Sequence, residues 1–206
     1  MSGAVEVEAE AEVAVDADGW WPSATRYDSP FVDARPNPQD ITLLVIHNIS
    51  LPGGRFGGPH VSDMFTGRLD YNIDPSFQDL RGLRVSSHFF IRRDGRVMQY
   101  ASANDRAWHA GVSMFQGRVK CNDFSIGIEL EGSDHAPFEA AQYAVLATLT
   151  GALLKRYPIA DIQGHEDIAP GRKTDPGPFF SWQKYLDLCP ALVPANPGLR
   201  VGNGLP

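Results

Sequence analysis

The run Ile41-Thr42-Leu43-Leu44-Val45-Ile46 restricts the possible folds more than any other part of this chain. It is short, apolar and rich in β-branched residues, which suits a strand buried on both faces. His47 ends it. A second strand signal, His88-Phe89-Phe90-Ile91, passes through the hairpin-like Arg92-Arg93-Asp94-Gly95 into Val97-Met98-Gln99-Tyr100. In a third, Ser125 to Leu130, the residues Ile126, Ile128 and Leu130 share one face and Ser125, Gly127 and Glu129 the other. One face is expected to pack and the other to stay open, with Glu129 among very small neighbours.

A helix is expected from about Pro137 to Arg156, because Tyr143, Leu146, Ala147, Thr150, Leu153, Leu154 and Tyr157 repeat with helical spacing. Pro137 suits its first turn and Pro158 its end. A shorter helix fits Ser181 to Leu188, and no repeat period is present. These elements predict an α/β fold with a central mixed β-sheet flanked by helices. Residues 51 to 84 are the least regular part, with Gly53-Gly54 and Gly57-Gly58 around Phe56, and an insert of that length is expected to shape or cover a groove.

Charge narrows the function classes. Glu6, Glu8, Glu10, Glu12, Asp16 and Asp18 lie in residues 1–19 without a Lys or Arg, so most of the net charge of −7 sits there. The rest is close to neutral, which argues against a nucleic-acid binder or an anionic-membrane binder. Self-repulsion favours a disordered acidic tail over 1–19, and the Pro- and Gly-rich 190–206 reads as irregular coil. The acidic start lacks the pattern of a secretory signal, no apolar run approaches a membrane span, and two cysteines, Cys121 and Cys189, suit free thiols in a reducing cytoplasm.

Six histidines are spread over the chain. His60 and His135 lie in polar or loop contexts and receive no role; His88 reads as core or as support for a site. His47, at a strand end, is placed to lean into a cleft, although alone it is better explained as a packed histidine bonded to a carbonyl. The stretch Gly164 to Pro178, a Pro- and Gly-dense loop, adds His165 and Asp175. Two imidazoles and a carboxylate suit a catalytic zinc, which keeps its fourth tetrahedral position for water. As a generic pattern this is weak, since no His-Glu-x-x-His helix is present, and neither is a phosphate-binding loop.

Taken together, Val45-Ile46-His47-Asn48-Ile49-Ser50, Arg84 to His88, Ile91 to Gly95, Ala107-Trp108-His109-Ala110-Gly111, Cys121 to Gly132 and Gly164 to Pro178 resemble the AmpD family of 1,6-anhydro-N-acetylmuramoyl-L-alanine amidases, in order, from about Trp20 to Tyr185. The resemblance implies a peptidoglycan-recognition/zinc amidase-like fold over 20–189. It implies that His47, His165 and Asp175 hold Zn2+, that Glu129 is the catalytic acid/base, and that Lys173 assists at the reacting carbonyl. Without it, Glu129 could be a strand carboxylate facing water and Lys173 a solvated loop charge. Asn48, Arg84, Ala107, Trp108, His109 and Lys120 are implied to line the groove for an anhydromuropeptide. At 120 the family more usually has Arg, and Lys keeps the charge but loses the planar grip on a carboxylate. The implied reaction is hydrolysis of the amide between anhydro-N-acetylmuramic acid and L-Ala, in cytoplasmic recycling of cell-wall fragments, with no obligate protein partner. A non-catalytic binding module of the same fold would be expected to lack a ligand or the acid/base. An exported amidase acting on intact wall and a zinc peptidase are the nearer rivals.

Overall fold

The computed structural model describes residues 14–189, 196 and 198–202. In chain order the elements are β1 (Thr25–Arg26), β2 (Val32–Asp33), β3 (Leu43–Ile49), α1 (His60–Phe65), a 3-10 turn (Pro75–Leu80), β4 (Phe89–Ile91), β5 (Val97–Gln99), β6 (Arg106–Ala107), β7 (Met114–Phe115), β8 (Arg118–Val119), a 3-10 turn (Cys121–Asp123) and β9 (Ser125–Glu131). There follow α2 (Ala140–Arg156), β10 (Asp161–Gly164), α3 (His165–Ile168), α4 (Trp182–Asp187) and β11 (Arg200–Val201). Seven strands form one mixed sheet in the order β1-β5-β4-β9-β3-β10-β11. Its pairs are parallel except β4 with β5. This is the expected α/β architecture.

The two faces of the sheet have different coverings. Leu44 and Ile46 of β3, Ile126, Ile128 and Leu130 of β9, and Phe89 and Ile91 of β4 pack against Tyr143, Leu146, Leu149 and Leu153 of α2. On the other face Leu43 and Val45 meet Ala110, Cys121, Phe124 and Ile168. Further along, Phe90, Met98 and Tyr100 pack with Val61, Met64, Phe65 and Phe77 of the 51–84 insert. Every residue of β9 is buried, so the face carrying Ser125, Gly127 and Glu129 is not open as expected: chain segments cover it. Cys121 and Cys189 are both buried and unbridged. Among the described residues, no helix is long and apolar enough to cross a membrane.

Several boundaries differ from the sequence reading, each for a local reason. β3 begins at Leu43 and runs past His47 to Ile49, because its pairing with β9 continues to Glu131. His47 therefore lies inside a strand. α2 starts at Ala140, where the Gln142 side chain accepts a hydrogen bond from the Glu139 N–H, 3.0 Å, and caps the first turn. The 164–178 stretch is not all loop, since β10 ends at Gly164 and one helical turn begins at His165.

The packed body also reaches beyond 20–189. Val15 is in the core, and the Gly19 carbonyl accepts from the Ala103 N–H at 2.9 Å. Leu199 and Val201 are buried, β11 extends the sheet beside β10, and Arg200 pairs with Asp161 at 2.5 Å. Backbone pairing has outweighed the Pro- and Gly-rich composition there. Residues 1–13, and most of 190–206, lie outside the described residues.

Leu146 is fully buried between α2 and β9, on the face away from His47. Leu146→Ala is expected to lower unfolding free energy by about 2–5 kcal/mol in urea denaturation. A cost within measurement error would contradict this packing.

Candidate active site

Parallel pairing builds the site from strands distant in sequence. β3 and β9 are in register with His47 opposite Glu129, so both side chains emerge on the same face. β10 lies on the other side of β3 with Gly164 opposite Ile46, and the next residue of each chain is His165 and His47. A Cβ at Gly164 would stand 2.8 Å from Pro176 Cδ, so the absence of a side chain lets the 174–178 segment approach. The Glu166 N–H donates to the Asp175 carbonyl at 2.8 Å, Asn48 Nδ2 to the Pro176 carbonyl at 3.0 Å, and Asp134 accepts from both Asn48 and Thr174. These bonds fix Asp175 beside the two imidazoles.

His47 Nδ1 lies 2.9 Å from His165 Nδ1 and 3.0 Å from Asp175 Oδ2, and His165 Nδ1 lies 3.0 Å from the same oxygen. His165 Nε2 is 3.0 Å from the Ala110 carbonyl, which can only accept, and 3.3 Å from Arg172 Nη2, which is already engaged by the Ala110 and Val112 carbonyls at 2.7 Å; with the proton on Nε2, Nδ1 offers a bare lone pair. Three acceptor atoms so close repel one another unless a cation lies between them. Burial, and then the neighbouring His165, push the His47 pKa down to about 4. Burial opposes ionisation of Asp175, but the adjoining His165 and His47 rings outweigh it and hold the carboxyl below its usual range. At neutral pH His47 is thus a neutral imidazole and Asp175 a carboxylate, the state in which each can hold a metal ion. These residues fit zinc by donor type and by convergence.

Glu129 faces the same space. It is 7% exposed, and its Oε2 is buried with no hydrogen-bond partner. Burial pushes its pKa well above the usual carboxylate value, the charge of Asp175 adds to this, and Lys173 opposes it. A cavity of about 260 Å³ is bordered by His47, Asn48, His109, Glu129, His165, Lys173 and Asp175. Leu51, Met64, Phe65, Leu80 and Leu83 form its apolar side, so the 51–84 insert shapes the cleft. A second, more open cavity of about 490 Å³ adjoins through Asn48, Lys173 and Asp175 and includes Ser133, Asp134 and His135.

The six groove residues expected from the sequence separate. Asn48 and His109 border the cavity, though both ring nitrogens of His109 are engaged by protein. Arg84 and Trp108 border neither cavity; the Arg84 guanidinium lies over the Trp108 ring at 5.5 Å, and Trp108 Nε1 donates to Asp33. Ala107 is fully buried in β6, and Lys120 is exposed at the end of the β7–β8 hairpin. His88 is core: its Nδ1 accepts from the Gly127 N–H and its Nε2 donates to the Asp105 carbonyl.

Sequence reasoning passed over Asp134, Asn122 and Arg172. Arg172 donates to the Ala110 and Val112 carbonyls, 2.7 Å each, and Asn122 Oδ1 accepts from the His109 and Ala110 N–H groups. Arg172 and Asn122 bind backbone atoms, and Asp134 binds the side chains of Asn48 and Thr174, contacts that no local side-chain pattern reports.

With the geometry established, comparison with known proteins is informative. Residues 37–178 match the family model described as N-acetylmuramoyl-L-alanine amidase. The chain is 58% identical over 161 residues, 77% of its length and 88% of the relative's, to the 1,6-anhydro-N-acetylmuramyl-L-alanine amidase AmpD of Haemophilus influenzae. A crystal structure of AmpD superposes with a TM-score of 0.81 at 54% identity, covering 83% of this chain and 97% of that one. AmiD of E. coli, solved with anhydro-N-acetylmuramic acid-L-Ala-D-gamma-Glu-L-Lys, superposes with a TM-score of 0.55 at 33% identity, covering 76% of this chain and 60% of that one.

An unpartnered buried carboxylate opposes folding once ionised. The raised Glu129 pKa means its contribution is least unfavourable below the unfolded carboxylate range and becomes destabilising as pH rises through that range. In the metal-free protein Glu129→Gln is expected to raise stability at pH 7 by about 1–3 kcal/mol, with the gain shrinking below about pH 4. Urea unfolding at the two pH values measures it; a loss of stability at pH 7 would mean that Glu129 has a partner.

Proposed function

Because the chain belongs to the N-acetylmuramoyl-L-alanine amidase family, we propose that it hydrolyses, with zinc, the amide joining the lactyl group of 1,6-anhydro-N-acetylmuramic acid to L-Ala. The observation that carries this reading is one cavity combining three convergent metal-donor atoms with an unpartnered, buried carboxylate oxygen. The substrate class is supported by the name of the Haemophilus relative and by the ligand in the AmiD structure.

In this reading His47, His165 and Asp175 hold the ion. Zinc, when bound, supplies Lewis acidity, polarising the carbonyl and making water acidic enough to attack near neutral pH. Glu129 Oε2 takes a proton from the attacking water and delivers it to the leaving nitrogen of L-Ala. Its raised pKa suits both halves of that relay, because a group poised nearer neutrality gives up a proton as readily as it takes one. Lys173, exposed at the border of both cavities, meets the negative charge that develops on the attacked carbonyl oxygen.

Asn48 orients substrate at the cavity wall; outside both cavities, Trp108 offers an apolar face for the sugar and Arg84 and Lys120 meet carboxylates of the peptide, with the buried Ala107 supporting Trp108 from β6. The proposed setting is cytoplasmic recycling, with soluble anhydromuropeptide as substrate; a release assay comparing it with polymeric wall sacculi tests that choice. The proposed domain is residues 20–189, onto which Val15 and β11 of the flanking segments pack.

Metal analysis coupled to mass spectrometry of the products tests the reading. The wild-type chain is expected to carry one zinc and to release the anhydro sugar and an intact stem peptide. Glu129→Gln is expected to keep zinc and lose at least about 100-fold in turnover; undiminished turnover would remove Glu129 from the proton relay. Asp175→Ala is expected to lose both metal and turnover. Cleavage between stem-peptide residues would instead establish a peptidase.

A further inference from the structure

We propose that His109 is a positioning residue for the metal ligand His47, and that the dipeptide His109–Ala110, anchored by Asn122, sets the tautomers of both imidazole ligands. The inference rests on the metal-centre reading above and assigns His109 to the protein side of the site rather than to the substrate groove.

The argument begins from the outer nitrogens of the ligands. His47 Nε2 lies 2.9 Å from His109 Nδ1, with the two rings nearly perpendicular at 86°. If His47 Nδ1 is to offer its lone pair to the ion, its proton must sit on Nε2, and His109 Nδ1 must accept it. The His109 proton then lies on Nε2, where Ser125 Oγ accepts it at 3.1 Å. In the opposite arrangement, a proton on His109 Nδ1 would force the His47 proton onto Nδ1 and block coordination. The state of His109 therefore decides whether His47 can act as a ligand.

His165 depends on the next residue. Its Nε2 donates to the Ala110 carbonyl at 3.0 Å, which leaves Nδ1 bare toward the metal position. The backbone supplying both acceptors is fixed, because Asn122 Oδ1 accepts from the His109 N–H at 3.1 Å and from the Ala110 N–H at 2.7 Å. β9 leaves space for the His109 ring: a Cβ at Gly127 would stand 2.5 Å from His109 Cγ. Ser125 on one side and the cleared position 127 below hold the ring at the angle His47 needs. The small face of β9 thereby acquires a purpose beyond giving Glu129 room.

Leu and Asn at position 109 provide the test, since they share a heavy-atom skeleton branched at Cγ and differ in whether an acceptor is present near the place of Nδ1. Zinc affinity of the full chain is measured by competition with a chromophoric chelator. His109→Leu is expected to weaken zinc binding by about 10–100-fold, the usual loss on removing an outer partner of a ligand. His109→Asn is expected to recover most of that loss, with the two metal-free variants unfolding at similar temperatures. In zinc-loaded wild-type protein, nitrogen NMR of the histidine rings is expected to find the protons of His47 and His109 on Nε2. Wild-type zinc affinity in His109→Leu, an equal loss in both variants, or a proton on His109 Nδ1 would each overturn the inference. A raised KM with unchanged zinc affinity would also overturn it and return His109 to the groove. A wild-type chain that takes up no zinc would instead overturn the metal-centre reading, and this inference with it.

Discussion

The register of β3 against its two parallel neighbours is the constraint on which the rest of the site depends. Pairing with β9 sets His47 opposite Glu129, and pairing with β10 delivers His165 one residue beyond the partner of Ile46. A slip of one residue in either ladder would turn these side chains to the α2 face, among Ile128, Leu44 and Leu146. The apolar alternation on that face is what makes such a slip costly. Packing on one side of the sheet thus fixes chemistry on the other.

How much of this was legible in the sequence follows from which interactions are local. The buried run at 41–46, the alternation in 125–130 and the stripe of α2 are period signals, and they located β3, β9 and α2. The metal-donor set was a weak generic pattern that became specific only through family resemblance, because His47 and His165 meet across a sheet pairing that no local spacing reveals. Gly164-His165 read as loop because β10 is only four residues long and its helical turn equally short. The end strand β11 was hidden by Pro and Gly around it; its partner, Asp161 of β10, is 39 residues away. The same blindness applies to Arg35, 6% exposed, whose guanidinium donates to carbonyls of Ala103, Asn122, Asp123 and Ser125. A buried arginine tying backbone segments together leaves no pattern in sequence, yet it holds the coil before β9 against β9 itself.

Two carboxylates border one cavity, and their surroundings send them in opposite directions. Both are largely withdrawn from water, which by itself raises each pKa. Asp175 has two imidazoles at 3.0 Å to offset that penalty, so it remains ionised. Glu129 Oε2 has no such partner, and the ionised Asp175 raises its pKa further, with Lys173 acting only in part against both. One carboxylate is thereby a fixed negative charge and the other an exchangeable proton site. That separation requires an apolar floor beneath Glu129, because bulk solvent around the carboxyl would relax its pKa toward the ordinary value. The floor is supplied by Phe90, opposite Glu129 on β4, and by the Met64 and Phe65 side of the 51–84 insert. The irregular insert is thus bound to the chemistry through desolvation: its apolar side chains border the cavity that holds the acid/base.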